Sequence, residues 1–443
     1  SPYVPDPGPM LAFGQSVLVV AVRGVAFQLK IIATGHQHLR DPTCAEWNGG
    51  SLFHGLDACS VAECTRFLER QPPMATASIN AGARTIAVAW PDGTTADFPF
   101  LWLRDNCPTG LHPETHERTF ELLSVPDTLA PVGATIETDC LVIRWPDHTT
   151  ELDLDWLAAH RPGERAHDPA DVSPILWRGT VTKDALPSAT ASSLLGSDRA
   201  LSDWLKTAKA HGLALVTELD NRVDAGMEIA RRIGFLRETN FGVEFDVVSK
   251  PDPNNLAYTA GRLPLHTDLP NQELPPGFQF LHCIANSADG GGSMFCDGFA
   301  VADAIKTEDP AAFDLLASQP IPLRFHDATC DIRKRDTVIR RDFDGRLQEV
   351  RFNAHIAATF DMPAHLMTAY YRAYRMYMTM SRSAAFEVTL RLEPCEMVVF
   401  DNRRVLHGRD AFDPSTGHRH LHGCYVDRGE WDSRMRVLAR NVD

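Results

Sequence analysis

Residues 254–426 carry, in order, LAYTA (256–260), GFQFLHCI (277–284), SMFCDGF (293–299), IPLRF (321–325), EVRFN (349–353), FEVTLRL (386–392), EMVVF (396–400) and HLHGCYV (420–426). Most of these runs are short, rich in β-branched and aromatic residues, and bounded by Gly, Pro, Asn, Asp or Ser, which marks strands. Helical spacing interrupts the series at 300–319 and again at 363–380. Many short strands with few strand–helix–strand alternations predict a fold that is mainly β with helices, its body a sandwich or jelly roll.

Upstream of this series, Leu201, Trp204, Leu205 and Ala208 fall on one face of a helix over 197–210 that Gly212 ends. A strand follows at Leu213-Ala-Leu-Val-Thr217, and a second helix over 224–233. Earlier still, an internal echo pairs Val88-Ala-Trp-Pro-Asp-Gly-Thr-Thr-Ala-Asp-Phe98 with Ile143-Arg-Trp-Pro-Asp-His-Thr-Thr-Glu-Leu-Asp-Leu154. Each copy reads as strand, turn at Pro-Asp and strand, so residues 75–160 form a small β-rich domain. The Pro- and charge-dense stretch 161–174 reads as a linker to a domain over 175–443. Residues 1–74 lack a sustained period and read as a leader, extraneous to the fold or poorly ordered, with a small extra subdomain as the alternative.

The 443 residues are 44% hydrophobic and 23% charged, which excludes disorder as a description of the whole. With 43 Lys and Arg against 58 Asp and Glu the net charge is −15, so a nucleic-acid or anionic membrane partner is held against the overall field. No stretch reaches the eighteen uncharged apolar residues of a membrane span. The ten cysteines show no repeating framework, which fits a reducing, cytoplasmic setting better than a disulfide-stapled one.

The chemistry concentrates among the strands. His266-Thr-Asp268 sits on an extended segment, where residues two apart point to one face. A third ligand arrives with His407 in Phe400-Asp-Asn-Arg-Arg-Val-Leu-His-Gly-Arg409. Two imidazoles and one carboxylate on one face of a metal leave open positions, the arrangement non-haem Fe(II) oxygenases use. Arg419 follows twelve residues after His407, where a guanidinium can fork onto a dicarboxylate. Each signal is weak alone; the ordered set within a jelly-roll pattern is specific.

Residues 85–443 resemble the gamma-butyrobetaine dioxygenase family, which includes trimethyllysine dioxygenase. The resemblance is carried by Leu101-Trp-Leu-Arg-Asp-Asn-Cys-Pro108, Asn254-Asn-Leu-Ala-Tyr-Thr259, Leu265-His-Thr-Asp-Leu-Pro270, Phe280-Leu-His-Cys-Ile284, Asp297-Gly-Phe299, the 400–409 segment and Arg419-His-Leu-His-Gly-Cys-Tyr425. It implies a small zinc-binding N-terminal domain, a double-stranded β-helix catalytic domain, a homodimer, and hydroxylation of a small cationic or zwitterionic substrate with Fe(II), 2-oxoglutarate and ascorbate as reductant. It assigns iron to His266, Asp268 and His407, and the 2-oxoglutarate carboxylate to Arg419.

The resemblance further implies an aromatic cage for a trimethylammonium group, which attracts aromatic faces but cannot donate a hydrogen bond. The matching positions are Phe241, Phe245, Tyr258 and Tyr425, two of them Phe where the family has Tyr or Trp. Asn255 matches a residue that holds the substrate carboxylate, and Asn353 or His355 serves as its second partner. A His at that end suits a more highly charged anion. The expected reaction is therefore gamma-butyrobetaine to carnitine, with a trimethylammonium phosphonate or trimethyllysine as alternative substrates. An oxygenase for another substrate and a non-catalytic cupin-like binding protein are the rival classes. For zinc, Cys107 and His148 match the family while Thr109 and His112 stand where it has cysteines. Cys107, His112 and His148 are thus three expected ligands, completed by His116 or water. Arg372, Arg375 and Arg382, interleaved with Tyr370, Tyr371, Tyr374 and Tyr377, read as a solvated helix face or dimer contact.

Overall fold

The computed structural model describes residues 17–22, 25–30, 74–249 and 259–442. The chain divides into two units, residues 1–76 with 89–95, and residues 77–88 with 96–443. In the first, Val17–Val22 pairs antiparallel with Val25–Lys30, and the Trp90 N–H donates to the Thr94 carbonyl across the Pro-Asp turn (2.9 Å). The rest of the expected leader lies outside the described residues.

The echo is visible in the backbone. One three-stranded sheet runs Thr76–Asn80, Thr85–Ala89 and Thr95–Pro99, and another Gly133–Glu137, Cys140–Arg144 and Thr149–Asp153. Each leads into a six-residue helix, Phe100–Asp105 and Leu154–Ala159. Residues 161–174 contain neither helix nor strand.

Two larger sheets form the remainder. The six-stranded sheet has the order Glu244–Val247, Arg419–Val426, Phe278–Asn286, Met397–Asp401, Leu213–Thr217, Ser188–Thr190. The four-stranded sheet has the order Leu263–His266, Val405–Arg409, Ser293–Asp297, Glu387–Leu390. Alternation along the strands builds three cores. Leu281, Val398, Phe400 and Leu421 of the larger sheet meet Phe295, Val388 and Val405 of the smaller between the sheets. Phe278, Phe280 and Val399 face the other way, against Leu201, Trp204, Ile229 and Trp431 of flanking helices. Met294, Cys296 and Leu406 back onto the helices Gly298–Glu308, Pro310–Ser318 and Ala364–Ser381. Two facing sheets with non-sequential neighbours are consistent with the expected jelly roll.

Local chemistry sets the ends of these elements. The helix Asp198–His211 begins where the Ser197 hydroxyl accepts from the Ala200 N–H (3.2 Å) and stops at Gly212, whose φ of 71° suits a residue without Cβ. The helical stretch at 300–319 proves to be two helices, because Pro310 starts a new one with Asp309 capping it. Arg404 forks onto the buried Asp297 carboxylate (3.0 and 2.8 Å) and donates to the Ala210 carbonyl (2.8 Å), tying the smaller sheet to that first helix. Removing one member of such a buried pair costs about 3–5 kcal/mol. In Ala364–Ser381 the tyrosines 370, 374 and 377 are buried in the core while Arg372 and Arg375 are exposed. The solvated face therefore carries Arg372 and Arg375 together with Tyr371, which stays exposed. No helix of the described residues is long and apolar enough to cross a membrane.

Candidate active site

His266 ends its strand and lies directly across the antiparallel pair from His407. Their rings are 4.4 Å apart, and the 407 ring also packs on Phe400 at 4.8 Å. Asp268 sits just beyond the strand, where Asn402, in the turn between Met397–Asp401 and Val405–Arg409, holds its backbone. Asn402 Oδ1 accepts from the Asp268 N–H (2.7 Å), and Nδ2 donates to the carbonyls of Asp268 (3.0 Å) and Pro276 (3.1 Å). Asp268 Oδ1 is 3.2 Å from His266 Nε2, and Oδ2 is 3.5 Å from His407 Nε2.

These three side chains fit a cation. A carbonyl only accepts, so His266 Nδ1, 2.9 Å from the Pro264 carbonyl, carries the proton. In the neutral ring Nε2 then turns a lone pair toward a carboxylate oxygen, a pairing that a shared metal ion converts from repulsive to favourable. The donor atoms of the three residues all lie within 4.8 Å of one another. Burial would raise the Asp268 carboxyl, but the His407 and His266 imidazoles outweigh it and hold it well below the usual carboxylate range. Burial likewise keeps the His407 imidazole below its ordinary value, against the pull of Asp268.

The triad opens into a cavity of about 270 Å³ that Phe241, Phe245, Asn353, His355, Arg419 and Tyr425 also line. Arg419 lies in the strand beside Phe278–Asn286, opposite Asn286. Its Nε donates to the Gly291 carbonyl (3.0 Å), and it makes no ion pair among the described residues. Burial, with Arg409 adding, brings its pKa down to about 10, still protonated near neutrality. A buried cation without a protein carboxylate, facing a cavity, suits an anionic ligand.

Aromatic rings form another part of the lining. Phe245 lies 5.0 Å from Tyr425, and Phe241 meets Phe325 edge-on at 5.5 Å. Tyr425 also donates its hydroxyl to Asp268 Oδ2 (2.7 Å), so it touches a ligand carboxylate as well as the aromatic group. Asn353 Oδ1 accepts from the His355 backbone N–H (3.0 Å). Burial, with His266 and Arg382 adding, holds the His355 imidazole below its usual pKa. Asn255 and Tyr258 lie outside the described residues.

Sequence reasoning missed three contributors. Phe325 belongs to the hairpin strand Ile321–His326, where it shares a face with buried Ile321 and Leu323, so its alternation was the available signal. Asn402, inside the 400–409 segment, and Gln279, opposite Tyr425 in register, carry no local sequence signal of their roles.

Of the three expected zinc ligands, Cys107 and His148 meet in the structure. Cys107 Sγ lies 3.2 Å from His148 Nε2, but the third corner is Thr109 Oγ1, 3.1 Å from the sulfur and 3.2 Å from the imidazole. His112 is turned to its own loop, its Nδ1 accepting from the N–H groups of Glu114 (3.3 Å) and Thr115 (3.2 Å). Among the described residues, the two groups of three side chains suited to a metal ion do not include Cys107, His112 and His148. Thr109 offers a neutral hydroxyl there, whereas zinc favours Cys and His donors.

Comparison with known proteins agrees with this geometry. Residues 183–425 match the family described as Taurine catabolism dioxygenase TauD, TfdA family, and residues 77–158 match Gamma-butyrobetaine hydroxylase-like, N-terminal. The gamma-butyrobetaine dioxygenase of Pseudomonas sp. (strain AK-1) is 41% identical over 385 residues, spanning 86% of this chain and 100% of that protein. The Homo sapiens gamma-butyrobetaine dioxygenase is 31% identical over 82% of this chain and 96% of its own length. The mitochondrial trimethyllysine dioxygenase of Rattus norvegicus is 29% identical over 78% of this chain and 84% of its own length. The chain therefore belongs to the gamma-butyrobetaine dioxygenase family, and it is an Fe(II)- and 2-oxoglutarate-dependent dioxygenase.

Proposed function

We propose that the protein hydroxylates gamma-butyrobetaine to carnitine, with iron held by His266, Asp268 and His407 and 2-oxoglutarate anchored by Arg419. The observation that carries this reading is one cavity lined by the triad, a buried arginine and a group of aromatic rings. His266, Asp268 and His407 would hold Fe(II), which would supply the redox chemistry that couples oxidation of 2-oxoglutarate to succinate and CO2 with hydroxylation of a C–H bond.

The protein's own groups do the aiming. Phe241, Phe245, Phe325 and Tyr425 offer faces to a trimethylammonium group, and each cation–π contact contributes about 0.5–2 kcal/mol once water is excluded. Asn353 and His355 offer polar atoms to the anionic end. Since burial keeps the His355 imidazole low in pKa, it is neutral near pH 7 and acts as a hydrogen-bond partner, which favours a carboxylate over a doubly charged phosphonate. Asp268, fixed by Asn402 and Tyr425, keeps its carboxylate ionised between the two imidazoles. The free thiols of the described residues support a reducing, cytoplasmic setting.

The test is 2-oxoglutarate consumption with Fe(II) and ascorbate, comparing gamma-butyrobetaine, trimethyllysine, a trimethylammonium phosphonate and no substrate. Stimulation by gamma-butyrobetaine above the others is the expected result. Preference for trimethyllysine or the phosphonate moves the specificity to His355 and the Phe pair, and binding without turnover of any of them returns the protein to the non-catalytic class.

A further inference from the structure

The face of the six-stranded sheet that looks away from the cavity carries a second cluster. Along Arg419–Val426, residues 419, 421 and 425 line the cavity, so His420 and His422 point to the opposite face. Along the edge strand Glu244–Val247, Phe245 and Val247 line the cavity, which puts Glu244 and Asp246 on that same far face. The register sets Asp246 directly opposite His422.

Asp246 Oδ1 lies 2.7 Å from His420 Nε2 and 2.9 Å from His422 Nδ1. The other nitrogen of His422 is 3.1 Å from Glu244 Oε2. A nitrogen from each imidazole and a carboxylate oxygen lie within 4.8 Å of one another. On the neighbouring strand Phe278–Asn286, His282 is paired in register with His422 and shares its face, is only 1% exposed, and has neither ring nitrogen hydrogen-bonded. A buried imidazole without a partner beside three converging donors marks a cluster that protein groups alone leave incomplete.

We propose that Asp246, His420 and His422 bind a divalent transition ion of the zinc type, separate from the iron triad. Two imidazoles and a carboxylate are borderline donors suited to Zn2+. Glu244 holds the far nitrogen of His422 as a proton acceptor, the outer carboxylate that orients a ligating imidazole. Each ligating nitrogen must present a lone pair, so any proton that His420 Nε2 or His422 Nδ1 shares with Asp246 leaves to solvent when the ion binds. The half-exposed Asp246 leaves the outer coordination position to water. Binding here fastens the edge strand to its neighbour, and the residues flanking Asp246 are the cavity-lining Phe245 and Val247. The ion is thus a clamp behind the aromatic lining.

The test counts zinc in the full chain after chelator treatment and dialysis against zinc alone. It compares His407→Ala, in which the iron triad is broken, with His407→Ala/His420→Gln and His407→Ala/Asp246→Asn. The single variant is expected to hold one zinc more than either double variant, and zinc is expected to slow hydrogen exchange of amides 244–247 about tenfold in the single variant only. Equal zinc counts in all three overturn the proposal. Asp246 is half exposed, so its replacement keeps the test available if the His420 variant does not fold.

Discussion

The Tyr425 hydroxyl donates a 2.7 Å hydrogen bond to Oδ2 of Asp268, while its ring rests 5.0 Å from Phe245. One side chain thereby joins the aromatic lining to the carboxylate between the two imidazoles. Tyr425→Phe keeps the ring and removes the bond. It is expected to weaken Fe(II) affinity about tenfold, in line with outer-shell partners generally, and to leave substrate KM little changed. Tyr425→Ala removes both and additionally weakens a trimethylammonium substrate by about 1–2 kcal/mol. An Fe(II) titration of the Phe variant that matches the wild type contradicts the orienting role.

Asn402 fixes the backbone of Asp268 through two hydrogen bonds, makes a third to the Pro276 carbonyl, and is fully buried. Asn402→Ala leaves those groups unsatisfied, at about 1–3 kcal/mol, and is expected to lower both the melting temperature and the Fe(II) affinity. Asn402→Asp keeps the acceptor but turns a buried carboxylate oxygen onto the carbonyls of Asp268 and Pro276, so its folding deficit should exceed that of the Ala variant. Thermal melts with parallel Fe(II) titrations check this.

Gly291 has φ of 68°, and a Cβ there would lie 2.8 Å from Arg419 Cδ and 3.0 Å from its Nε. Gly291→Ala is expected to displace the guanidinium and raise KM for 2-oxoglutarate about tenfold, equivalent to about 1.4 kcal/mol. The substrate KM should stay within a factor of about two, since the aromatic contacts are untouched. Steady-state kinetics varying each cosubstrate separates the two effects.

Gly423 allows Phe245 to lie across its strand, because an added Cβ would come within 2.7 Å of the Phe245 ring and 2.9 Å of Leu281. Gly423→Ala is expected to push the ring into the cavity at a cost of about 1–3 kcal/mol. Substrate KM should rise while the KM for 2-oxoglutarate holds. A Gly423→Ala enzyme with unaltered substrate KM removes Phe245 from substrate contact.

Much of this site is legible in the sequence where function and local periodicity coincide. His266, Asp268, His407 and Arg419 lie on or beside strands whose alternation is written in the flanking apolar residues, so their common face follows from spacing. The Trp-Pro-Asp echo and the Gly212 stop are likewise local. What escapes is set by long-range contact. Phe325 reaches the cavity from a hairpin that the sequence places far from Phe241. The hydroxyl of Tyr425 finds a carboxylate 157 residues away. Thr109 takes the place beside Cys107 that spacing offered to His112. Tyr370, Tyr374 and Tyr377 turn inward because the neighbouring helices bury that face, while Tyr371 stays exposed, a division that the alternation of Arg and Tyr does not reveal.

The most direct measurement is turnover of gamma-butyrobetaine under 18O2 with 2-oxoglutarate and Fe(II), with both products analysed by mass. One labelled oxygen is expected in carnitine and one in succinate, formed in equal amounts and lost together in His407→Ala. Unlabelled carnitine, or labelled succinate with no hydroxylated product from gamma-butyrobetaine, would contradict it.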